Sequence, residues 1–306
     1  MRIRPGGVRD IATFTRLVNA HNQWLRGEDL WREDELSAAL ISTSGDPVDN
    51  DRYVEVDGEV VAALHVQTSE PYTKGTFTLA IPPIGDREAV IRLLLDAGER
   101  IVRAHPQLSS TSPIDMLVPR EDTELIHVAT NAGYRVLQKV TMLEADVFDA
   151  PAANPPADVD VVTFSVTRDL DAGYEVIRRT FPPDLGAWHM SRPNYEYCMR
   201  NDPTALPGLS IIARDTEGPV GLALNFLDTT REQSGFTAAL GVLEHRRGEG
   251  IGRAIALESF DRFRARGWQH ARMATILGKA LDDDDYGFYT DLGMQPVYDD
   301  LVLVKD

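Results

Sequence analysis

The same order of predicted helices and strands occurs twice in this chain of 306 residues. Each half opens with a strand and a helix, continues with a hairpin that turns at Asp-Gly or Glu-Gly, and closes with a strand, a helix, a glycine and a strand. Gly133 and Gly293 hold equivalent places, as do Ile81 and Val242, which sets a period of about 160 residues. This period predicts a duplicated domain. Two unrelated α/β domains are the alternative.

A proline- and alanine-rich segment, DAPAANPPADVD at 149–160, separates the two halves. Its prolines can continue neither a helix nor a central strand. We therefore predict two domains, at 1–148 and 160–306, with a linker at 149–159. The mixture of hairpins and strand–helix–strand units predicts an α/β class of the α+β type in each domain, with helices packed on a mixed sheet.

Composition limits the function classes that the chain can serve. The formal net charge is −17, which argues against a nucleic-acid partner, because phosphate binding needs a basic face. The single cysteine, Cys198, allows neither an internal disulfide nor a Cys-based zinc site, and we predict no metal site. The N-terminus lacks the apolar core of a signal peptide, and no apolar run is long enough to span a membrane. We expect a soluble, cytoplasmic protein.

One stretch, EHRRGEGIGRAI at 244–255, concentrates glycine and arginine directly after an apolar run, Phe236–Val242. Helical periodicity begins at Ile251, so the glycines fall at the start of a helix. The first turn of a helix has N–H groups without intrahelical acceptors, and the helix dipole makes this end positive. Arg247 and Arg253 add charge. The stretch therefore predicts a binding site for a small anionic group such as a phosphate.

The spacing selects among the motifs that share this chemistry. A P-loop needs Lys and then Ser or Thr after its last glycine, and here Arg253 and Ala254 follow Gly252. A dinucleotide-binding fingerprint needs G-x-G-x-x-G, and here the run is G-x-G-x-G. The remaining pattern, R-x-x-G-x-G from Arg247, resembles the pyrophosphate-binding motif of the GNAT superfamily of acyl-CoA-dependent N-acyltransferases. The segment FYTDLGM at 288–294 resembles a second motif of that family.

The resemblance covers residues 160–306 and implies a role for particular residues. It implies that the main chain at the end of one strand binds the pantetheine arm of acetyl-CoA, at Leu240, Gly241 and Val242. It implies that the following loop binds the pyrophosphate, through Arg247, Gly248, Glu249, Gly250, Ile251, Gly252, Arg253 and Ala254. It also implies that Tyr289 protonates the leaving thiolate. Proton transfer from a tyrosine (pKa about 10) to a thiolate (about 8.5) is chemically feasible.

The first half lacks the cofactor motif. Gly85 stands alone after the matching strand, and Asp86 adds a negative charge where a pyrophosphate would bind. We therefore predict a degenerate GNAT-like domain at 1–148 and an active one at 160–306. This layout resembles that of tandem family members such as mycothiol synthase.

The general base and the acceptor site are less constrained. Many family members carry a glutamate on the strand where Thr237 is the only polar side chain here. Asp228, Glu244 and His245 are candidate bases, each alternatively a surface residue, and deprotonation through water is our default expectation. Asp282 falls at a position where family members often have Asn. The alternative is that Asp282 belongs to an acidic segment at the start of a helix. Aromatic and histidine candidates for an acceptor pocket, alternatively core or surface residues, are Trp24, Trp31, His65, Tyr72, Trp188, His189, Tyr195 and Tyr197.

These features predict an N-acetyltransferase that moves an acetyl or small acyl group from acyl-CoA to the primary amine of a small molecule. The attack is expected to be direct, since Cys198 is far in sequence from both motifs. A non-catalytic acyl-CoA sensor, or another reaction of acyl thioesters such as decarboxylation, is the alternative. An acidic chain with aromatic side chains suits a cationic amine. The oligomeric state is not predicted.

Overall fold

The computed structural model describes residues 1–7, 10–29, 50–68, 74–181, 191–276 and 286–306. The helices within these ranges are α1 (Ile11–Arg26), α2 (Arg87–Ala104), α3 (Thr123–Asn131), α4 (Val166–Thr180), α5 (Arg192–Asn201), α6 (Ile251–Ala265) and α7 (Gly287–Thr290). The strands are β1 (Arg2–Pro5), β2 (Asp51–Val56), β3 (Glu59–Gln67), β4 (Gly75–Ala80), β5 (Ile114–Pro119), β6 (Arg135–Asp146), β7 (Asp160–Thr163), β8 (Ile211–Arg214), β9 (Pro219–Leu227), β10 (Ser234–Val242), β11 (His270–Thr275) and β12 (Gln295–Lys305).

The described chain divides into two compact units. The first contains residues 1–140 and 299–306, and its sheet has the order β1-β2-β3-β4-β5-β12. The second contains residues 141–276 and 286–298, and its sheet has the order β7-β8-β9-β10-β11-β6. In each unit one pair of neighbouring strands is parallel, β4–β5 in the first and β10–β11 in the second. The mixed α/β class and the repeated order of elements are as the sequence predicts.

The two units do not coincide with the two halves of the sequence on either side of the linker. Residues 300–305 of β12 pair with residues 114–119 of β5, and residues 141–146 of β6 pair with residues 270–275 of β11. Each sheet therefore receives one strand from the other half of the sequence. Backbone pairing decides this, because an edge strand with free N–H and C=O groups is stabilised by any strand of matching length beside it.

Local sequence accounts for the hairpins. At the turn between β2 and β3, Asp57 and Gly58 have φ angles of 52° and 88°. Two positive φ angles are the signature of the two-residue turn that matches the twist of a hairpin, and Asp-Gly adopts it readily. The strands on either side pair antiparallel from Val56↔Glu59 onward. The predicted Asp-Gly hairpin is confirmed.

A β-bulge in β10 positions both helices that flank the candidate site. The register with β9 shifts between Thr237 and Ala239, which adds one residue to β10. Before the bulge, Gly235 lies under Phe263 of α6, where a Cβ atom would come within 2.5 Å of the ring. After it, Gly241 lies against Thr180 of α4, where a Cβ atom would come within 2.6 Å of the hydroxyl. The extra residue reverses the alternation of side chains, so that α6 and α4 pack on opposite faces of one strand.

Candidate active site

The site begins where two parallel strands diverge. β10 and β11 pair from Ser234↔His270 to Thr237↔Met273 and no further, while β10 continues to Val242. On its other side β10 stays paired with β9 up to Val242↔Gly221. The last residues of β10 therefore have a strand partner on one side, and their main chain faces the gap on the other.

The loop after β10 leads into the first turn of α6. Gly248 and Gly250 have φ angles of 81° and 84°, and no atom lies within 4 Å of the place where either would carry a Cβ. These left-handed conformations favour glycine. The Ala254 N–H makes the first helical bond, to the Gly250 carbonyl at 3.0 Å. The three N–H groups before it, at 251–253, have no intrahelical acceptor and mark the positive end of the helix.

A cavity of about 510 Å³ lies against this loop. Its lining consists of Leu240, Val242, Arg246, Arg247, Gly248, Gly250, Gly252, Arg253, Phe288 and Tyr289. Eight of the predicted site residues are among them. The predicted residues outside this lining are Gly241, which packs on Thr180, Glu249, which pairs with Arg246 at 2.7 Å, and Ile251 and Ala254, which are buried in the core.

The three arginines of the loop have different surroundings. Arg246 donates to Glu249 and Asp158, each at 2.7 Å, and to Asp215, so three carboxylates neutralise it. Arg247 is exposed, and its Nε donates to the Val242 carbonyl at 3.1 Å. Within the described parts of the chain no side chain pairs with Arg253, which is half-buried in the cavity wall. The cations available to an anion in this cavity are therefore Arg247 and Arg253.

Tyr289 lies on the short helix α7 at the other end of the cavity. Its hydroxyl donates to Thr275 Oγ1 at 2.6 Å, and the edge of its ring meets Phe288 at a centroid distance of 5.1 Å. Burial raises the pKa of Tyr289 above its ordinary value, and the hydrogen bond to Thr275 offsets part of this effect. The phenol is therefore protonated at neutral pH, as a proton donor must be.

A second cavity, of about 210 Å³, occupies the gap between the diverged strands. It is lined by Phe181, Thr237, Ala238, Ala239, Leu240, Met273, Ala274, Thr275, Ile276 and Tyr289. Leu240 and Tyr289 line both cavities. A ligand whose anionic end lies at the start of α6 can thus reach the gap in the sheet past the Tyr289 hydroxyl.

The structure was compared with known proteins. No family model and no curated protein matches the sequence. A GCN5-related N-acetyltransferase from Sphaerobacter thermophilus has a similar structure, with a TM-score of 0.83 and 18% identity over 99% of this chain and 95% of that one. A tandem GNAT protein from the clavulanic acid biosynthesis pathway, solved without acetyl-CoA, has a TM-score of 0.71 and 16% identity over 99% and 98% of the two chains. This chain has a tandem GNAT fold.

A third similar structure is part of a larger chain. The glucosamine N-acetyltransferase region of a fungal multi-domain GH3 β-N-acetylglucosaminidase has a TM-score of 0.71 and 17% identity, and covers 99% of this chain but 38% of that one. At these identities the likeness shows the fold alone. The functional residues of this chain must therefore be judged from its own contacts.

The candidate bases of the second unit are not among the described residues that line the two cavities. Asp228 is buried and accepts hydrogen bonds from Ser234 Oγ and Thr230 Oγ1, both at 2.7 Å, so it closes the turn between β9 and β10. Glu244 and His245 are exposed in the turn after β10. Thr237 does line the second cavity, but its hydroxyl donates to Asn225 Oδ1 at 2.8 Å. Each of these groups has a structural or solvent-facing role.

The remaining sequence candidates have varied outcomes. Trp31, Tyr72, Trp188, His189 and Asp282 lie outside the described residues. Of the others, His65 is buried and bonded to Asp51, Tyr195 is buried in the core of the second unit, and Trp24 and Tyr197 are exposed.

The surroundings of Cys198 make its thiol unreactive. Burial raises the pKa of the Cys198 thiol to about 11, so it carries little thiolate at neutral pH. Within the described ranges, no cluster of three or more His, Cys, Asp or Glu side chains could hold a metal ion. No helix there is both long and apolar enough to cross a membrane.

In the first unit, an arginine of the chain itself lies against the end of the strand that corresponds to β10. β4 and β5 pair only from Gly75↔Ile114 to Phe77↔Met116, so these strands diverge too. Arg87 Nε donates to the Ile81 carbonyl at 3.1 Å, as Arg247 does to Val242 in the second unit. The Arg87 guanidinium, however, is buried.

Its partners neutralise this guanidinium. Arg87 donates to both carboxylate oxygens of Asp122, at 2.9 and 2.5 Å, and lies over the Trp24 ring at 4.9 Å. The first turn of α2 is capped by Asp86, which accepts from the Ala89 N–H at 3.3 Å. Sequence reasoning found Asp86 but missed Arg87 and Asp122, because an ion pair between residues so far apart leaves no local pattern.

Sequence reasoning also missed three residues of the second unit. Phe288 is 42% exposed and lines the first cavity, although it belongs to the motif that carries Tyr289. Thr275 accepts the Tyr289 hydrogen bond, and its place at the end of β11 was the available signal. Phe181 follows α4 and lines the second cavity, with no sequence signal beyond its apolar character.

Proposed function

We propose that the second unit transfers an acyl group, acetyl in the first instance, from acyl-CoA to a primary amine of a small molecule. The observation that carries this proposal is the position of Tyr289. Tyr289 lines both the cavity at the start of α6 and the gap between β10 and β11, and its hydroxyl is bonded to Thr275 of that gap. A proton donor is thus available midway along a path that starts at an anion site.

The residues at the start of α6 fit the pyrophosphate of CoA. N–H groups at 251–253 without an intrahelical acceptor, the space beside Gly248 and Gly250, and the side chains of Arg247 and Arg253 together suit two adjacent negative charges. The main chain of β10 beyond the bulge offers hydrogen-bonding groups to an amide-containing arm such as pantetheine. We assign binding of acyl-CoA to these groups.

The chemistry then needs few side chains. An acyl-CoA supplies an acyl group already activated as a thioester, whose displacement by an amine releases the CoA thiol. Tyr289 holds a proton on its hydroxyl at neutral pH and can give it to the departing sulfur. Since none of the candidate bases lines a cavity, the proton of the attacking amine leaves through water. No covalent enzyme intermediate is needed, and the high pKa of Cys198 supports direct attack.

Two other functions use the same cavity. A sensor would bind acyl-CoA without turnover, and a decarboxylase would act on a carboxylated acyl group. The half-buried phenol of Tyr289, which lines both cavities, favours catalysis over sensing, because a binding site alone has no use for a proton donor there.

The test is a screen of small amines with acetyl-CoA and the full chain. We expect release of CoA thiol with at least one amine, and an acetylated amine of matching mass. Binding of acetyl-CoA without turnover across a broad panel would favour the sensor. Loss of carbon dioxide from malonyl-CoA without any amine would favour the decarboxylase.

A further inference from the structure

Tyr289 is held in place at three points. Its carbonyl accepts hydrogen bonds from the N–H groups of Leu292 and Met294, each at 3.0 Å, and both of those residues are fully buried. Its ring meets the Phe288 ring edge to face, at a centroid distance of 5.1 Å. Its hydroxyl donates to Thr275 Oγ1 at 2.6 Å. Main chain, ring and hydroxyl thus have different partners, and Thr275 is the partner of the atom that carries the proton.

The position of Thr275 is fixed by the sheet. Thr275 is the last residue of β11, is 6% exposed, and pairs with Thr141 of β6 in the antiparallel register. Its β-branched side chain is restricted at χ1. Tyr289, in contrast, lies in a helix of four residues. A hydroxyl on a paired strand therefore gives the phenol a rigid partner.

Transfer of the Tyr289 proton is energetically demanding. It leaves a negative charge on a half-buried oxygen. A tyrosine, with a pKa of about 10, is a weaker acid than a thiol, with a pKa of about 8.5, so the transfer is unfavourable even in water. Burial raises the pKa of Tyr289 further, and the hydrogen bond with Thr275 acts in the opposite direction. The phenolate therefore needs a hydrogen-bond donor beside it.

A threonine hydroxyl can serve both states of the phenol. It has acceptor lone pairs and one hydrogen that rotates about the C–O bond. In the resting site Thr275 accepts from the phenol. Once the phenol has lost its proton, the same hydroxyl can turn and donate to the phenolate. The bond to the charged oxygen is the stronger of the two, so the developing charge is stabilised.

We propose that Thr275 is a positioning residue for the proton transfer, accepting from the Tyr289 phenol at rest and donating to its phenolate after transfer. The Tyr289 O–H bond breaks as the S–H bond of the CoA thiol forms, and the negative charge passes from sulfur to the phenolate oxygen. The Thr275 O–H bond stays intact. The phenolate then takes up, through water, the proton that the attacking amine loses. This inference rests on the proposed function and adds a residue to it.

A second tyrosine–threonine pair on the neighbouring strand provides a matched control. The Tyr286 hydroxyl lies 3.2 Å from Thr141 Oγ1, and Thr141 is 1% exposed and opposite Thr275 in the sheet. Neither Tyr286 nor Thr141 is among the described residues that line the two cavities. Thr141→Val therefore removes a buried hydroxyl that is bonded to a tyrosine, as Thr275→Val does, but away from the site.

The first experiment measures ionisation of Tyr289 without any substrate. The full chain is prepared with 3-fluorotyrosine at its nine tyrosines, because fluorine makes the phenol more acidic and ¹⁹F NMR reports each ring separately. The Tyr289 signal is the one missing from Tyr289→Phe. We expect Tyr289 to ionise at higher pH in Thr275→Val, where the phenolate has lost its donor, and near its original pH in Thr275→Ser and Thr141→Val. Ionisation at the same pH in Thr275→Val would overturn the proposal.

The second experiment measures turnover with the identified amine. We expect Thr275→Val to lower kcat about tenfold and to leave acetyl-CoA binding unchanged. Thr275→Ser should restore most of the rate, and Thr141→Val should keep it. Adding Thr275→Val to Tyr289→Phe should cause no further loss, because Thr275 acts through the phenol. A merely structural role would lower the rate by the same factor in both backgrounds.

The outcomes separate this inference from the proposed function. If the unaltered chain acetylates no amine, the proposed function fails and the role of Thr275 fails with it. If the unaltered chain is active and Thr275→Val is equally active, the role of Thr275 alone is overturned. Equal losses from Thr275→Val with and without the Tyr289 hydroxyl would also overturn it. Should Thr275→Val fail to fold, Thr275→Ala removes the same hydroxyl with a smaller side chain.

Discussion

At the scale of single residues, the Tyr289 hydroxyl bears most of the proposed chemistry. Removing it in Tyr289→Phe should leave the ring packed on Phe288 and acetyl-CoA affinity nearly unchanged. A positioned general acid contributes typically 10²–10⁴-fold. We expect a loss of about 10²-fold, equal in kcat and kcat/KM, because a thiolate is already a tolerable leaving group. Steady-state kinetics with the identified amine provides the measurement.

Tyr286→Phe is the matched control for that substitution. Tyr286 precedes the same short helix, and its hydroxyl lies 3.2 Å from Thr141 Oγ1, outside the lining of both cavities. It should retain activity. Because burial raises the pKa of Tyr289, the acid form persists through neutral pH, and activity should fall only above the ordinary tyrosine pKa of about 10. This alkaline limb should vanish in Tyr289→Phe, and a variant within twofold of wild type would make Tyr289 structural.

Gly250 tests the anion site at the same scale. Gly250→Asp places a carboxylate beside the start of α6, and aspartate is among the residues that tolerate its positive φ. We expect acetyl-CoA to bind at least about tenfold more weakly, about 1.4 kcal/mol or more. Calorimetry is the measurement.

The control is Gly267→Asp, which follows the end of α6. Gly267 has a φ of 79°, has no atom within 4 Å of a built Cβ, and lies outside both cavities. The Gly267→Asp variant therefore has a similar cost of placing aspartate at a positive φ, but its carboxylate lies away from the anion site. Equal affinities of the two variants for acetyl-CoA would remove the case for pyrophosphate binding at this loop.

At the scale of elements, a buried ion pair links the start of α2 to the start of α3 in the first unit. Burial alone would raise the pKa of Asp122, but hydrogen bonds from His21 and Arg87 outweigh it and lower that pKa. The stability from this pair is thus present at neutral pH and is lost as the pH falls through the lowered pKa. Arg87 and Asp122 are both buried, so water cannot solvate the charge of either side chain when its partner is removed.

Arg87→Met should therefore destabilise the first unit. Removing one partner of a buried ion pair leaves the other charge uncompensated, which costs about 3–5 kcal/mol. The control is Arg92→Met on the same helix, which breaks an exposed pair with Glu88 and should cost under about 0.5 kcal/mol. Thermal melting of the full chain at pH 7 compares the two variants, and similar melting temperatures would show that the Arg87 pair is not stabilising.

At the scale of the whole molecule, the two units differ at the start of the helix that follows the diverging strand. The first has Asp86 capping α2 and Arg87 buried, whereas the second has an open helix start and two available arginines. We expect one CoA per chain, bound by the second unit. Calorimetric titration gives the stoichiometry, and a value of two would overturn the prediction that the first unit is silent.

The exchange of strands predicts how fragments behave. A fragment of residues 160–306 lacks residues 141–146 of β6, which pair with β11 and bring Leu143 and Ala145 into the core of the second unit. It exposes a bare strand edge and should aggregate or melt at low temperature. A fragment of residues 141–306 restores β6 and should be more soluble and more stable. Equal solubility and melting temperature of the two fragments would contradict the exchange.

Local features of the sequence determined the turns, the helix start and the repeat. Asp57-Gly58 specifies its turn through two positive φ angles, and Gly248 and Gly250 occupy a loop that other residues would strain. These are properties of a few adjacent residues, so periodicity and spacing predict them. The order of elements in both units follows from the same patterns, whereas the expectation of a GNAT fold came from the resemblance of two motifs, at 247–252 and 288–294.

The tertiary structure alone decided which charges remain available and which strands pair. Arg246, the first arginine of the loop, is neutralised by Asp158 and Asp215 from distant parts of the chain, while Arg253 stays open to the cavity. Residues 300–305 join β5 rather than a strand of their own half. Partners far apart in sequence meet only when packing and strand pairing bring their elements together, and no local pattern encodes that choice.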